Sequence, residues 1–290
     1  MIYRKSFGSR IIYAFILLIL ALLGLATLYP FIYTLSMSVS DPRAVMRSQI
    51  RLLPVGFTLD SYKLILGDSK VWSSYYNTLW YTVVGTSLNL IITIMGGYAL
   101  SRRHFKAGAF MMVLITIPMF FGGGMVPNFV LVNMLGLYNT RWAIVLTAAA
   151  SSWNIILTRT FFKSTIPDSI PEAAMIDGAN DFQIFIRVIL PVSHAIIALI
   201  TLYAAVAFWN MWFPVLLYTF DTKLQPMTIY LRNILMFGAG EWGDDSEKAV
   251  MNAIQTRYTT IIVTIIPIIC VYPFLQKYFV KGVMIGSIKE

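Results

Sequence analysis

Side chains able to do chemistry are scarce in this sequence. The densest short stretch is 171–180, PEAAMIDGAN, where Glu172 and Asp177 precede Gly178. No G-x-x-x-x-G-K-[ST] loop is present to cradle the phosphates of a nucleotide, and no H-E-x-x-H pair or Cys/His cluster to hold a metal. The two histidines, His104 and His194, stand ninety residues apart, and no Ser-His-Asp arrangement can be assembled. The single Cys270 excludes an intrachain disulfide. A second acidic group, Glu241, Asp244, Asp245 and Glu247 in FGAGEWGDDSEKAV, matches no calcium-loop spacing. It reads first as a solvated loop, with cation binding as the alternative. No catalytic residue and no metal site are expected, so Glu172 and its neighbours read as contacts rather than reagents.

The elements that must position this stretch are set by composition. The 290 residues are 58% hydrophobic and only 12% charged, against about 25% charged in an ordinary soluble domain. Mean hydropathy is +0.73. The apolar residues fall into six stretches free of Asp, Glu, Lys and Arg: 11–40, 71–101, 107–140, 142–158, 188–220 and 258–276. A spanning helix needs roughly 20 mostly apolar residues, so the expected class is all-α and integral to a membrane, with six spans. A closed barrel is disfavoured because the runs are continuous rather than alternating. One transmembrane domain is expected over 1–290. Its spans fall near 11–36, 77–101, 107–131, 141–162, 189–217 and 258–278, with a polar loop at 164–188 and outer loops at 37–76 and 218–257.

Charge orients the chain. The net charge of +9 fits basic residues flanking membrane spans. It does not fit nucleic-acid binding, because no basic cluster is interleaved with aromatics. The short loop SRRHFK, 101–106, is basic, whereas the short loop near GLYNTR offers only Arg141. The positive-inside rule then places both termini and the 164–188 loop on the inner side. The run from Ile11 is too long for a signal peptide and is read as a retained span. None of the six stretches holds a carboxylate, which argues against an ion-coupled carrier. PMFFGGGMVP interrupts the third span, since proline removes a backbone donor and glycine weakens a helix. That segment either lines a pathway or ends the helix near the outer interface.

In DSIPEAAMIDGANDFQIFIRVILP, Ser169 and Glu172 stand in capping-box spacing with Pro171 in the first turn. Gly178 then turns the chain, and Asn180 and Asp181 cap a second helix running to Pro191. Ala173 and Ala174 would let another protein approach closely, and Glu172 would offer it a charge; an ordinary amphipathic connector fits the residues as well. In the fifth span, Tyr203 and Asn210 are two helical turns apart and share a face, with Trp209 beside them. A buried amide needs a partner, so Asn210 meets either a neighbouring helix or a pathway. Trp153 and Asn154 in SSWN pose the same alternatives.

The pattern Glu172-Ala173-Ala174-x3-Gly178-x9-Val188-x-Leu190-Pro191 resembles the EAA loop of bacterial ABC-importer permeases, with Val188 where that family has Ile. WNMWFPVLLY and the tail LQKYFVKGVMIGSIKE resemble the branch that imports oligosaccharides and polysaccharide fragments. The resemblance implies that Glu172, Ala173, Ala174, Asp177, Gly178, Leu190 and Pro191 form a cytoplasmic joint to an ATPase. It implies no cofactor in this chain, ATP and Mg being carried by two ATPase partners. It also implies a second related permease, an extracytoplasmic solute-binding protein and a bacterial inner membrane. An oligosaccharide cargo fits spans without formal charge that are rich in aromatics, which make up 14% of the chain. Uronate-containing oligomers such as alginate or pectin fragments are compatible, as are neutral glycans; a permease for peptides or amino acids is the alternative.

Overall fold

The computed structural model describes residues 7–237, 253–271 and 273, and among these every regular element is helical. Two compact units are present: Met1–Ser69 with Leu231–Pro267, and Lys70–Tyr230 with Ile268–Glu290. The acidic group at 241–247 and the tail from Leu275 lie outside the described residues.

The first unit is led by α1, Phe7–Ser38. Its apolar side chains stay exposed as far as Ile32, as expected of a helix that is hydrophobic all round and solvated by lipid. Two short helices follow, α2 (Pro42–Met46) and α3 (Asp60–Gly67). Met37, Ala44, Val45 and Ile50 pack with Tyr33, Ile254 and Tyr258. Gln255 is fully buried; it donates to the Ser38 and Ser40 carbonyls and accepts from Ser61 Oγ. That amide replaces water for carbonyls left open at the end of α1.

The second unit is organised along α4, Ser69–Ser101. The chain continues through α5 (Gly108–Phe120), α6 (Met125–Met134), α7 (Arg141–Thr147), α8 (Ser152–Thr165), α9 (Ser169–Ile176) and α10 (Asp181–Val192). Then come α11 (His194–Trp209) and α12 (Phe213–Tyr218). α13 (Met227–Phe237) is divided between the units after Tyr230, and α14 (Ala253–Val271) belongs to the first unit as far as Pro267. The first half of α4 presents Tyr81 to Ile144, Val145, Val215 and Ile229. Its second half presents Ile94 to Phe162, Ile166, Ile184 and Ile189. Gly97 makes the second contact possible, because a Cβ there would lie 2.6 Å from Thr158 Cγ2.

Three helices among the described residues are long and apolar enough to cross a membrane: Gly8–Ser38, Ser69–Ser101 and Ala253–Val271. Two bent pairs raise the number to five if each counts as one span. The pair α5 and α6 turns by 119° where Phe121 to Gly124 break the helix, and Gly124 has φ +85°. The pair α10 and α11 turns by 83° at Ser193.

The stretch 141–162, expected as one continuous span, is divided into α7 and α8 of 7 and 14 residues. The break falls at Ala148–Ser151, despite three alanines that favour helix on their own. Ser151 caps α8 by accepting from Asn154 N, and Asn89 of α4 donates to the carbonyl of Ala149 at 3.0 Å. Thr93 and Asn154 complete this buried polar layer by donating to Asn89 Oδ1 at 3.4 and 3.5 Å. The stretch 189–217 is divided as well. α11 stops at Trp209, and Pro214 sits in the first turn of α12, where its missing N–H is harmless.

Candidate functional site

The stretch singled out by its carboxylates forms a helix–turn–helix between α8 and α11. α8 ends at Thr165 with Ile166 buried behind it, and Pro167 follows. α9 is capped at Asp168, not at Ser169, and no side chain makes the cap bond. This corrects the expected Ser169/Glu172 capping box. The Asp168 carboxylate is instead engaged by Arg103 Nε at 3.0 Å and by Arg102 Nη1 at 3.8 Å. A tertiary ion pair thus takes the place of a local cap and ties the loop to the end of α4. Arg102 also lies over the Tyr98 ring, 4.9 Å from its centroid, a favourable cation–π position. Tyr98 in turn meets Phe162 edge-on and Phe185 at a tilt.

At the other end of α9 the chain reverses through a Schellman motif. Gly178 has φ +82°. Its N–H donates to Met175 O, and Ala179 N–H donates to Ala174 O, each at 3.0 Å. These bonds satisfy two carbonyls that a helix end leaves open. The expected cap of the second helix is present. Asn180 accepts from Gln183 N at 2.9 Å, and Gln183 Oε1 accepts from Asn180 N at 3.1 Å. α10 then runs to Val192, past Pro191, with a π-helical turn at Phe185–Ile189. Such turns often mark functional positions.

The two alanines have different surroundings. Ala174 is half-buried and, with Ala179 and Leu190, packs on the cluster of Ile94, Phe162, Ile166, Ile184 and Ile189. Ala173 is exposed, as are Glu172, Asp177, Gly178 and Pro191. Around them stand the exposed apolar side chains Ile170, Met175, Ile176 and Phe182, with Ile176 87% exposed. One side of the loop is therefore anchored to α4, α8 and α10. Its other side offers an apolar surface edged by carboxylates.

The residues suggested for a pathway differ in exposure. Tyr203 is 40% exposed and Trp153 59%. Asn210 is exposed at the end of α11, where its amide donates to Val206 O of its own helix at 2.9 Å. Trp209 and Asn154 are buried. Asn154 reaches Asn89, as described, and so belongs to the polar layer between helices. Sequence reasoning missed Asp168, Arg102 and Asn89. Oppositely charged residues flanking the loop were the available sign for the first two, whereas nothing local marks Asn89.

Exposed apolar helices long enough to cross a membrane, with a polar loop anchored on one side, define an integral membrane protein. A family model described as "Binding-protein-dependent transport system inner membrane component" matches residues 89–285. The "Polygalacturonan/rhamnogalacturonan transport system permease protein YtcP" of Bacillus subtilis (strain 168) is 36% identical over 289 residues, covering 99% of each chain. "Protein LplC" of the same organism is 34% identical over 275 residues, 94% of this chain and 93% of that one. A solved structure, "Crystal structure of a bacterial ABC transporter involved in the import of the acidic polysaccharide alginate", superposes with a TM-score of 0.86. Identity there is 35%, over 94% of this chain and 98% of that one. The chain belongs to the family of binding-protein-dependent transport system inner membrane components. It is a permease subunit of an ABC importer and not an enzyme, the ATPase being a separate subunit.

Proposed function

We propose that this permease carries acidic, uronate-containing oligosaccharides inward across a bacterial cell membrane by alternating access. The single observation that carries the cargo is likeness to two acidic-polysaccharide systems. One is a polygalacturonan/rhamnogalacturonan permease aligned over 99% of both chains, and the other an alginate importer of the same fold. The charge-free spans fit such a cargo, since sugars need flat apolar surfaces and neutral hydrogen-bonding groups along most of their length. Among the suggested residues, Tyr203 and Asn210 offer exposed side chains for this role, whereas Trp209 and Asn154 serve packing.

The permease would pair with a second related permease, two ATPase chains carrying ATP and Mg, and an extracytoplasmic binding protein. The exposed face of 169–178 is where an ATPase would dock, with Glu172 and Asp177 at its edge. Leu190 and Pro191 then carry the displacement of α9 into α10 and α11. This assignment puts the loop and both termini in the cytoplasm, in keeping with the basic SRRHFK loop.

Uptake into proteoliposomes holding the full complex, with its binding protein outside and ATP inside, tests the cargo. Trigalacturonate, maltotriose and a tripeptide are offered separately. Saturable, ATP-dependent uptake of trigalacturonate in preference to the other two is expected. Preference for the peptide or for maltotriose would overturn the reading.

A further inference from the structure

At the end of α4 remote from the loop, Arg141 is placed where a structural role leaves much of it unused. Asn77 is about 24 residues before the end of α4, so this site lies about 36 Å along the helix from Arg102. Arg141 Nη2 donates to Asn77 Oδ1 at 2.9 Å, and the Tyr81 hydroxyl is its other polar neighbour. Asn77 is itself fixed, since its Nδ2 donates to Lys223 O at 2.7 Å and to Gln225 O at 3.1 Å. The guanidinium lies over two rings, 5.2 Å from the centroid of Tyr76 and 5.4 Å from that of Trp80. Trp142 packs edge-on against Trp80 at 5.7 Å. No carboxylate pairs with Arg141 among the described residues. Its Nε is buried without an acceptor, an expense proteins seldom keep without use. The side chain as a whole is only half-buried, and Tyr76 and Trp142 are exposed at 57% and 49%.

A fixed guanidinium beside exposed aromatic rings matches the two chemical faces of a uronate. The guanidinium edge left open by Asn77 receives a carboxylate through a charge-assisted bond, and the rings receive the apolar C–H face of the sugar. We propose that Arg141, held by Asn77 and flanked by Tyr76 and Trp80, forms a subsite on the extracytoplasmic side that binds the carboxylate of an acidic sugar as the cargo enters the permease. The inference rests on the cargo reading above and adds the residue that recognises charge. The neighbouring segment carries Asp221 and Lys223, whose backbones bond to Asn139 and Asn77. Neither side chain pairs with Arg141 among the described residues, and Arg141, fixed against the rings, separates acidic from neutral cargo at the point of entry.

The test uses the full reconstituted complex with its binding protein and trigalacturonate as probe. The quantity read is trigalacturonate taken up per ATP hydrolysed, in wild type, Arg141→Lys and Arg141→Gln. The Gln variant is expected to fall by about tenfold or more, the size of one charge-assisted pair. The Lys variant keeps the charge but loses the planar fork and should fall between the two. A ratio equal to wild type in the Gln variant, or Lys no better than Gln, overturns the proposal. Loss of uptake and hydrolysis in equal proportion overturns it too, since that is the mark of a docking contact for the binding protein. Should Arg141→Gln not assemble, Tyr76→Leu decides: this exposed ring supports no core, and an unchanged ratio there refutes the subsite. Failure of wild type to take up trigalacturonate would instead sink the cargo reading.

Discussion

Replacing Gly178 with valine is expected to abolish sugar uptake while the chain still inserts and assembles. The backbone at Gly178 has φ +82°, and no atom lies within 4 Å of where a Cβ would be. The cost is therefore conformational and not steric crowding. A β-branched residue held in this region carries strain of about 1–3 kcal/mol. The chain can shed that strain by letting φ relax, and the bonds from Gly178 N and Ala179 N then break. Their loss frees Ala174 and Ala179 from the cluster formed with Ile94, Phe162, Ile184 and Ile189. The exposed apolar side of α9, proposed above to meet the ATPase, would then move without carrying α10 with it. Asn tolerates positive φ better than other side chains, so Gly178→Asn should keep a substantial part of the activity. The measurement is sugar transported per ATP hydrolysed in proteoliposomes, alongside the yield of intact complex. A valine variant with the wild-type ratio would mean that the turn carries no force.

Asn89→Leu is expected to have the second large effect, and to act on assembly. Asn89 is 3% exposed in the middle of α4. Its amide serves the carbonyls of Ala149 and, at 3.5 Å, Ala148, and its Oδ1 serves Thr93 and Asn154. Leucine has a similar volume and no hydrogen-bonding group. It would strand these carbonyls and the Asn154 amide where water does not reach. Unsatisfied buried groups cost about 1–3 kcal/mol each, although measured side-chain bonds within membrane bundles average nearer 0.6 kcal/mol. With three groups stranded, even the smaller figure gives about 2 kcal/mol. A lower thermal midpoint and a several-fold lower yield of detergent-solubilised complex are expected. An unchanged midpoint would show that the break between α7 and α8 holds without this amide.

These two positions also mark how far the sequence can be read. Gly178 and Asn180 were legible because their roles are local: a left-handed turn needs Gly, and Asn is among the residues that cap a helix start. The six apolar stretches were legible because lipid imposes a length and a composition. Ser169 failed as a cap for a tertiary reason. Arg102 and Arg103 come from a loop more than sixty residues earlier and engage Asp168, and the helix starts where that pair holds it. The break in 141–162 was hidden in the same way. Three alanines and a serine do not announce it, because the group that satisfies the open carbonyls is an asparagine on another helix, 60 residues away. The alanine pair was read as one small surface, yet helical geometry turns Ala174 inward and leaves Ala173 outside. Asn210 was read as lying within a span. It stands at the end of α11, because Pro214 and the residues before it start a new helix.

The central claim is that this chain is a passive conduit whose movement is driven by ATP hydrolysed on another polypeptide. Withholding subunits tests it most directly. Proteoliposomes are prepared with the complete complex, with the permease pair alone, and with ATPase chains carrying a hydrolysis-blocking substitution. Trigalacturonate uptake and phosphate release are followed in the same vesicles. The account predicts uptake and hydrolysis together in the complete complex and neither in the other two. Phosphate release by the permease pair alone, or concentrative uptake without a working ATPase, would contradict it.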